Sequence, residues 1–395
     1  MGLKKMREKT NNLSKTASDS NKNILKFIFL IFVLWQSAIL LITFISPSIL
    51  PLREQFTYSD GSKPINPRFL WNRANFDGSH YLNIVKNGFG LHEQSFFPFY
   101  PELIKFLSPV FKGKDLLAGL FISNFSLLIF LFVFYKLIII DYDDKTAKRT
   151  IIFLLIFPAS FFLTMVYSES LFLMLLLGCF YAGRKGKWLI AGILGGLASY
   201  TRIVGVFIFP ALIYEWYLQH QGFSFKKSFI SLLPLFFIPL GLLKYTAFLN
   251  EKYHDPLIFI HAQSAFVAGG TNGRIILIYQ VFWRYLKMIL ETRFYYSYFP
   301  VWLELLTASF FAVLLILAYV KKVRFSYLIF SAFSYFIPTL SGTFLSLPRF
   351  ALTLFPCFIF LGMLKNVFLR RFLLVIFSLL FIVSTAFFLR GYWIS

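Results

Sequence analysis

The stretch ILKFIFLIFVLWQSAILLITFI, residues 24–45, decides the fold class, because Lys26 is its only charged residue. At about 1.5 Å per residue, a helix of this length crosses a ~30 Å hydrocarbon core. The run is also longer than the apolar part of a cleaved signal peptide, so we expect it to remain as the first span. Similar apolar runs recur to the end of the chain and predict an all-α polytopic membrane protein.

The composition agrees with this class. Hydrophobic residues make up 58% of the chain and charged residues only 14%, too few to cover a water-soluble surface. The net charge of +22 comes from short basic clusters between apolar runs, which is typical of cytoplasmic loops, so nucleic-acid binding is not expected. Cys179 and Cys357 lie within apolar runs, which argues against a disulfide framework or a thiolate metal site.

The basic clusters also predict the topology. Residues 1–23 are polar and basic, and we expect a disordered cytoplasmic tail ahead of a single transmembrane domain, 24–395. All later short basic loops can face the cytoplasm if an even number of spans separates them, which gives about eleven crossings with the N-terminus inside. The later spans are expected at 228–249, 299–320, 325–341, 350–364 and 372–389.

Two apolar runs, 150–183 and 188–218, are predicted to turn back at membrane depth. The turns carry Glu169 and Arg202, and the helical arms beside them are too short, at about 1.5 Å per residue, to cross ~30 Å. Ionisable groups at this depth need partners or a function, so we expect an outward-facing pocket there. Small residues allow close helix packing beside it: Gly192, Gly195, Gly196, Ala198 and Ser199.

The longest polar stretch, 46–115, is predicted to be the first extracytoplasmic loop. Its segment DGSHYLNI begins at Asp77, a carboxylate that could take a proton from a hydroxyl nucleophile or simply cap the following helix. His80, Tyr81 and Tyr100 are candidate substrate contacts. The simpler alternatives are a solvent-facing histidine and tyrosines that anchor the loop at the membrane interface.

Residues 274–291 have a different pattern. Gln280, Arg284, Lys287 and Glu291 recur at helical spacing on one face. This pattern predicts an amphipathic helix that lies on the outer membrane surface. The crossing assignment of 274–298 stays open.

Several segments follow one another in a recognisable order: Asp77–Ile84 with Asn87–Phe89 and Phe96–Pro101, then Tyr167–Phe172, Gly195–Arg202, Asp255–Leu257 and Pro348–Phe350. Together they resemble the PIG-V type mannosyltransferases, which add the second mannose in GPI-anchor synthesis, and their prokaryotic relatives. The resemblance covers nearly the whole chain. It departs from the family at Asn75-Phe76, where members often carry Trp-Asp.

The resemblance implies a GT-C glycosyltransferase fold with an extracytoplasmic active site and a polyprenyl-phosphate sugar as donor. It also implies that Asp77 is the catalytic acid of the first loop. We expect transfer of a hexose, mannose by resemblance, with inversion, to a hydroxyl of a lipid-linked, glycan or protein acceptor.

The remaining site residues are assigned by charge and topology. Arg202 and Arg349 are expected to bind the lipid phosphate, and Glu169 to orient a sugar hydroxyl or Arg202. The alternative for each arginine is a plain ion pair with a carboxylate such as Glu169. We predict no metal or other cofactor. The loop lacks the second adjacent acid found in other GT-C families, which leaves metal dependence open.

Two other protein classes fit a charged outward cavity: a transporter or flippase of lipid-linked sugars, and a noncatalytic membrane scaffold. Transporters more often carry internal repeats and broken helices in both halves, and we find no repeat that relates the two halves. A membrane enzyme is therefore the favoured interpretation. We expect it in the cell membrane if the chain is prokaryotic, in contact with membrane lipids.

Overall fold

The computed structural model describes residues 2–53, 68–221, 225–262, 276–291 and 298–394, with side chains from residue 21 onward and, after the second gap, from residue 229. Within these ranges the regular structure is entirely helical, as predicted. The helices are α1 (Gly2–Ile49), α2 (Arg68–Trp71), α3 (Asp77–Asn87), α4 (Phe99–Leu107), α5 (Asp115–Ile138), α6 (Asp144–Leu155), α7 (Glu169–Arg184), α8 (Trp188–Thr201), α9 (Ile208–Gln219), α10 (Phe225–Leu232), α11 (Phe237–Tyr253), α12 (Ile258–His261), α13 (Ile278–Glu291), α14 (Phe299–Val320), α15 (Phe325–Thr339), α16 (Leu347–Phe350), α17 (Phe355–Gly362) and α18 (Val367–Leu389).

Several helices are long and apolar enough to cross a membrane. On α1, large apolar side chains such as Phe29 and Phe44 are exposed, as lipid-facing residues are. The protein is therefore a polytopic membrane protein, while the count of about eleven crossings stays a prediction. By length and composition, five stretches of the described residues qualify: Asn21–Ile49, Asp115–Ile138, Phe229–Tyr253, Phe299–Val320 and Val367–Leu389.

The first helix is longer than the predicted first span. Its backbone is helical from Gly2, so residues 2–23 continue the helix where a disordered tail is expected. Their side chains up to residue 20 lie outside the described residues. The division into a tail and one transmembrane domain stays a prediction.

The predicted span at 350–364 is wrong as a single helix. The chain forms α16, then a short 3₁₀ turn over Ala351–Thr353, and then α17, which has only eight residues. Pro356 lies in the first turn of α17, where proline starts a helix but cannot continue one. All of α17 is buried, so this segment belongs to the core of the bundle.

Both predicted turns are present, and their depth in the membrane stays a prediction. α7 begins at Glu169 and has 16 residues, and α8 ends at Thr201 and has 14. At about 1.5 Å per residue, these helices are about 24 and 21 Å long, short of a ~30 Å core. The turns therefore bring Glu169 and Arg202 to one end of the neighbouring helices α7 and α8.

The predicted close packing of small residues is also present, between α8 and α11. A β-carbon on Gly192 would lie 1.9 Å from the carbonyl oxygen of Pro234, and one on Gly196 would lie 2.7 Å from that of Phe237. The two backbones thus touch directly, as helices with small residues at their interface do. This contact fixes the position of the Arg202 end of α8.

The other end of α7 is held by a buried charged group. Arg324 donates two hydrogen bonds to Glu215, at 2.7 and 2.6 Å, and Arg184 Nε lies 3.5 Å from the same carboxylate. Arg184 also donates to Asp141 at 2.5 and 2.7 Å. These contacts join the ends of α5, α7, α9 and the α14–α15 connection.

The amphipathic segment is a helix over part of its predicted length. α13 begins at Ile278, and residues 274–275 lie outside the described residues. Val281 and Tyr285 are buried, while Trp283 and Leu290 are exposed. Its place on the outer surface stays a prediction.

Candidate active site

The backbone before α3 has an unusual conformation. Phe76 has φ 56° and ψ −119°, a left-handed region that costs a non-glycine residue free energy and is often found at functional sites. Neighbouring bonds hold it in place. Asn75 Nδ2 donates to the carbonyl of Phe388 at 2.9 Å, and the Tyr167 hydroxyl donates to the carbonyl of Asn75 at 2.9 Å. The next residue, Asp77, is thereby placed at the start of α3.

Asp77 forms an ion pair rather than a helix cap. α3 begins at Asp77 itself, the cap position falls to Phe76, and the cap has no side-chain hydrogen bond. The carboxylate instead accepts a hydrogen bond from Arg349 Nη1, a residue 272 positions away in the chain. The capping alternative is therefore not what the structure contains.

Glu169 joins the second arginine to this pair. Arg202 Nη1 donates to Glu169 Oε1, and Arg349 Nε lies 3.5 Å from the same oxygen. Four side chains thus form a chain of alternating charge, in the order Asp77, Arg349, Glu169 and Arg202, which we call the Asp77 group. The alternative in which the arginines pair with a carboxylate such as Glu169 is thus present for both Arg202 and Arg349, whereas the pair between Arg349 and Asp77 was not predicted.

Two atoms of the Asp77 group are buried without a hydrogen-bond partner. They are Glu169 Oε2 and Arg349 Nε. Buried polar atoms without partners are rare in native proteins and call for an explanation, such as a ligand. The Glu169 side chain is only 3% exposed, whereas Asp77 is 17% exposed, so a ligand would reach Asp77 more readily than Glu169.

Aromatic rings enclose the two arginines. The guanidinium of Arg349 lies 5.5 Å from the ring centres of both Phe162 and Tyr167, and that of Arg202 lies 5.3 Å from the ring of Phe350. Rings at this distance stabilise a cation and exclude water. The Asp77 group is therefore a charged site with largely apolar walls.

His80 contacts Glu93 and Phe96 in the loop that follows α3. Its Nδ1 lies 2.9 Å from Glu93 Oε1, and its ring stacks on Phe96 with centres 5.0 Å apart. The histidine therefore helps to hold the loop that follows α3. Its role as a substrate contact stays a prediction.

Tyr81 and Tyr100 are buried behind the Asp77 group. The Tyr81 hydroxyl shares a hydrogen bond of 3.0 Å with Ser168 Oγ, and Tyr100 donates to the carbonyl of Gly119 at 3.1 Å. Burial raises the pKa of both phenols well above the usual value, so both hydroxyls stay protonated. In this structure they support the turn at Glu169, and their contact with substrate stays a prediction.

Two charged residues near the site, Glu93 and Arg73, were not among the predicted site residues. Glu93 accepts hydrogen bonds from Asn83 and from the Gly90 amide. Arg73 is buried four residues before Asp77. The available signal was that both are charged residues within the predicted first loop. Spacing alone could not distinguish them from solvent-exposed charged residues.

The possible metal ligands among the described residues do not cluster. Among the described residues, no three His, Cys, Asp or Glu side chains come close enough to hold a metal ion. The prediction of no metal stays a prediction. A cavity of about 510 Å³ lies elsewhere, between Phe89, Leu91 and Tyr253, and its lining includes no member of the Asp77 group.

Comparison with known proteins gives one family. A family model described as Mannosyltransferase (PIG-V) matches residues 23–223, just over half of the chain. The matched region contains Asp77, Glu169 and Arg202 and ends before Arg349. A search of curated proteins finds no match.

Proposed function

The chain belongs to the PIG-V mannosyltransferase family, and from that premise we propose that it transfers a hexose, mannose by family, from a polyprenyl-phosphate donor to a hydroxyl group on the extracytoplasmic side. The acceptor is a lipid-linked, glycan or protein hydroxyl. The observation that carries the proposal is the Asp77 group, in which the Asp77 carboxylate pairs with Arg349, and Glu169 links Arg349 to a second arginine, Arg202. The proposed architecture is that of a GT-C glycosyltransferase.

Asp77 acts as the general base. Its carboxylate takes the proton of the acceptor hydroxyl as the oxygen attacks the anomeric carbon. The bond between that carbon and the phosphate oxygen breaks, and its electron pair leaves with polyprenyl phosphate. Attack from the face opposite the leaving group inverts the anomeric configuration.

The ion pair between Asp77 and Arg349 couples proton transfer to departure of the phosphate. While Asp77 is ionised, it accepts a hydrogen bond from Arg349. Once Asp77 takes the proton it is neutral, and its attraction for the guanidinium falls. Arg349 is then available to the phosphate, which gains negative charge at the same moment, and arginine forms strong paired hydrogen bonds to phosphate.

Glu169 keeps the two arginines together before the donor binds. It contacts both Arg202 and Arg349, whose like charges would otherwise repel each other. Its free oxygen, Oε2, is an acceptor that suits a sugar hydroxyl. Glu169 thus holds the phosphate-binding pair and offers one contact to the sugar.

Replacement of the base gives the direct test. We expect Asp77→Asn to reduce transfer by about 10²-fold or more, since an amide cannot take the proton and general-base catalysis contributes about 10²–10⁴-fold. The assay uses purified full-length protein, a radiolabelled polyprenyl-phosphate sugar, and release of polyprenyl phosphate as the readout. This readout also separates an enzyme from a flippase or a scaffold, which release none.

Asp143→Asn is the matched control. Asp143 caps α6, accepting a hydrogen bond from the amide of Thr146, and asparagine caps a helix about as well. We expect this variant to transfer sugar at the normal rate. Normal transfer by a folded, membrane-inserted Asp77→Asn protein would refute the proposed role of Asp77.

A further inference from the structure

A second charged site lies in the first loop, around Arg73. The residue is only 7% exposed. Its Nη1 donates a hydrogen bond to Thr164 Oγ1 at 3.3 Å, and its Nε is buried with no partner. The described residues form no ion pair with Arg73. A buried guanidinium normally has a carboxylate beside it or holds a ligand.

The neighbours of Arg73 cannot supply the missing acceptors. The Thr164 hydroxyl donates to Asn124 Oδ1 at 2.6 Å and accepts from Gln36 Nε2 at 2.7 Å, in addition to the bond from Arg73. Asn124 Oδ1 accepts from both Thr164 and Gln36. Thr164 Oγ1 and Asn124 Oδ1 are therefore already used by other donors.

The cluster of Arg73, Gln36, Asn124 and Thr164, which we call the Arg73 cluster, lies far along two candidate spans. Gln36 is near the middle of Asn21–Ile49, and Asn124 is well inside Asp115–Ile138. An ionised arginine at such a depth is costly and usually marks a binding site or a transport path. Its guanidinium stays protonated in proteins, so it requires a counter-charge there.

The Arg73 cluster lies next to the exposed, apolar faces of α1 and α5. Gln36 and Asn124 are only partly buried. Leu40, one turn after Gln36, and Phe121, one turn before Asn124, lie on the same helix faces and are 37% and 46% exposed. A ligand that enters between α1 and α5 would therefore arrive from the bilayer.

We propose that the Arg73 cluster binds the phosphate of a membrane lipid that enters between α1 and α5. Arg73 supplies the positive charge and an unpartnered N–H donor, Nε, and the partly exposed side chain of Gln36 lies in the same cluster. Arginine suits this ligand because its planar guanidinium can donate two parallel hydrogen bonds to a phosphate. The described residues show no contact between the Arg73 side chain and the Asp77 group, so this site is additional to the proposed active site.

Native mass spectrometry of the full-length protein in detergent tests the proposal. The probes are phosphatidic acid, diacylglycerol, which lacks the phosphate, and inorganic phosphate. We expect the wild type to retain phosphatidic acid in preference to diacylglycerol, and Arg73→Gln to weaken that binding by about tenfold or more, as loss of a charged hydrogen-bond partner does. Arg53→Gln, which removes another arginine of the same loop, should leave the binding unchanged.

A folding control keeps the result interpretable. Arg73→Met removes a buried charge that has no counter-charge, so in lipid-free detergent we expect its thermal unfolding temperature to be no lower than that of the wild type. Equal retention of phosphatidic acid by wild type and Arg73→Gln would overturn the proposal. Displacement of the lipid by millimolar inorganic phosphate would overturn the assignment to a membrane lipid. The readout is lipid binding, so it is independent of whether sugar transfer occurs.

Discussion

Glu93 shows how one residue holds the loop that follows α3. Its carboxylate accepts hydrogen bonds from Asn83 Nδ2, at 2.9 Å to each oxygen, and from the Gly90 amide at 2.8 Å, and it contacts His80. Burial by itself raises the pKa of Glu93, but the bonds from His80, Gly90 and Asn83 outweigh it and hold the pKa below the usual value of 4.5. The ionised carboxylate thus stabilises the folded loop.

This pKa shift predicts a dependence of stability on pH. Because the pKa is lower in the folded than in the unfolded protein, the stabilisation is fully present above about pH 4.5 and is lost as pH falls through the folded pKa. Glu93→Gln lacks this titration. We therefore expect the wild type to be the more stable above about pH 5 and its advantage over Glu93→Gln to shrink by about pH 3, measured by thermal unfolding in detergent.

Glu251→Gln is the control for this measurement. Glu251 is exposed at the end of α11. We expect the difference in thermal stability between the wild type and Glu251→Gln to be the same at about pH 5 and about pH 3. If the advantage of the wild type over Glu93→Gln stayed constant across that range, the hydrogen bonds to Glu93 would not stabilise the loop.

The members of the Asp77 group and the pairing of its arginines with Glu169 could be nominated from the sequence, but the contact between Asp77 and Arg349 could not. Asp77 follows from a polar loop segment, and Glu169 and Arg202 follow from turns at membrane depth, since charges are costly there. Arg349 lies 272 residues from Asp77, and no periodicity links positions so far apart. Arg73 was passed over because long exported loops carry basic residues regardless of function.

The bounds of a helix were predictable where the length of an apolar run alone determines them. α14 has the predicted bounds, and the short arms α7 and α8 follow from the distance available to them. The error at 350–364 has a different cause. Hydrophobicity there reflects burial inside the protein rather than contact with lipid, and Pro356 breaks the run in a way that a count of apolar residues ignores.

Close packing of α8 on α11 predicts a strong effect of one methyl group. A β-carbon on Gly241 would lie 2.0 Å from the carbonyl oxygen of Gly196 and 2.3 Å from Ser199 Oγ. Backbone atoms cannot rotate away, so the helices would have to separate. We expect Gly241→Ala to lower the free energy of unfolding by about 1–3 kcal/mol or more. Its thermal unfolding temperature in detergent should fall accordingly.

Gly178→Ala on α7 is the matched control. Its new β-carbon would meet only the end of the flexible Leu194 side chain, at 3.1 Å, which can shift at little cost. A Gly241→Ala protein as stable as Gly178→Ala would mean that α8 and α11 are further apart than the structure has them.

In the whole molecule, two groups of charged side chains lie at opposite ends of α7. The Asp77 group lies at Glu169, and the Glu215 contacts lie at Arg184, about 22 Å away along the helix. Arg184 and Arg324 come from two different basic clusters, yet both contact Glu215. These two basic loops therefore lie at the end of α7 opposite the Asp77 group, as expected if that end faces the cytoplasm.

Cysteine labelling in intact cells tests this orientation. The native Cys179 and Cys357 are fully buried, so the background should be low. Leu91, which is 83% exposed in the loop after α3, is replaced by cysteine in one variant, and Lys187, exposed in the loop between α7 and α8, in another. We expect a membrane-impermeant maleimide to label Leu91→Cys in intact cells and Lys187→Cys only after permeabilisation, because short basic loops are retained in the cytoplasm. The reverse pattern would place the Asp77 group on the cytoplasmic side and exclude an extracytoplasmic transfer reaction.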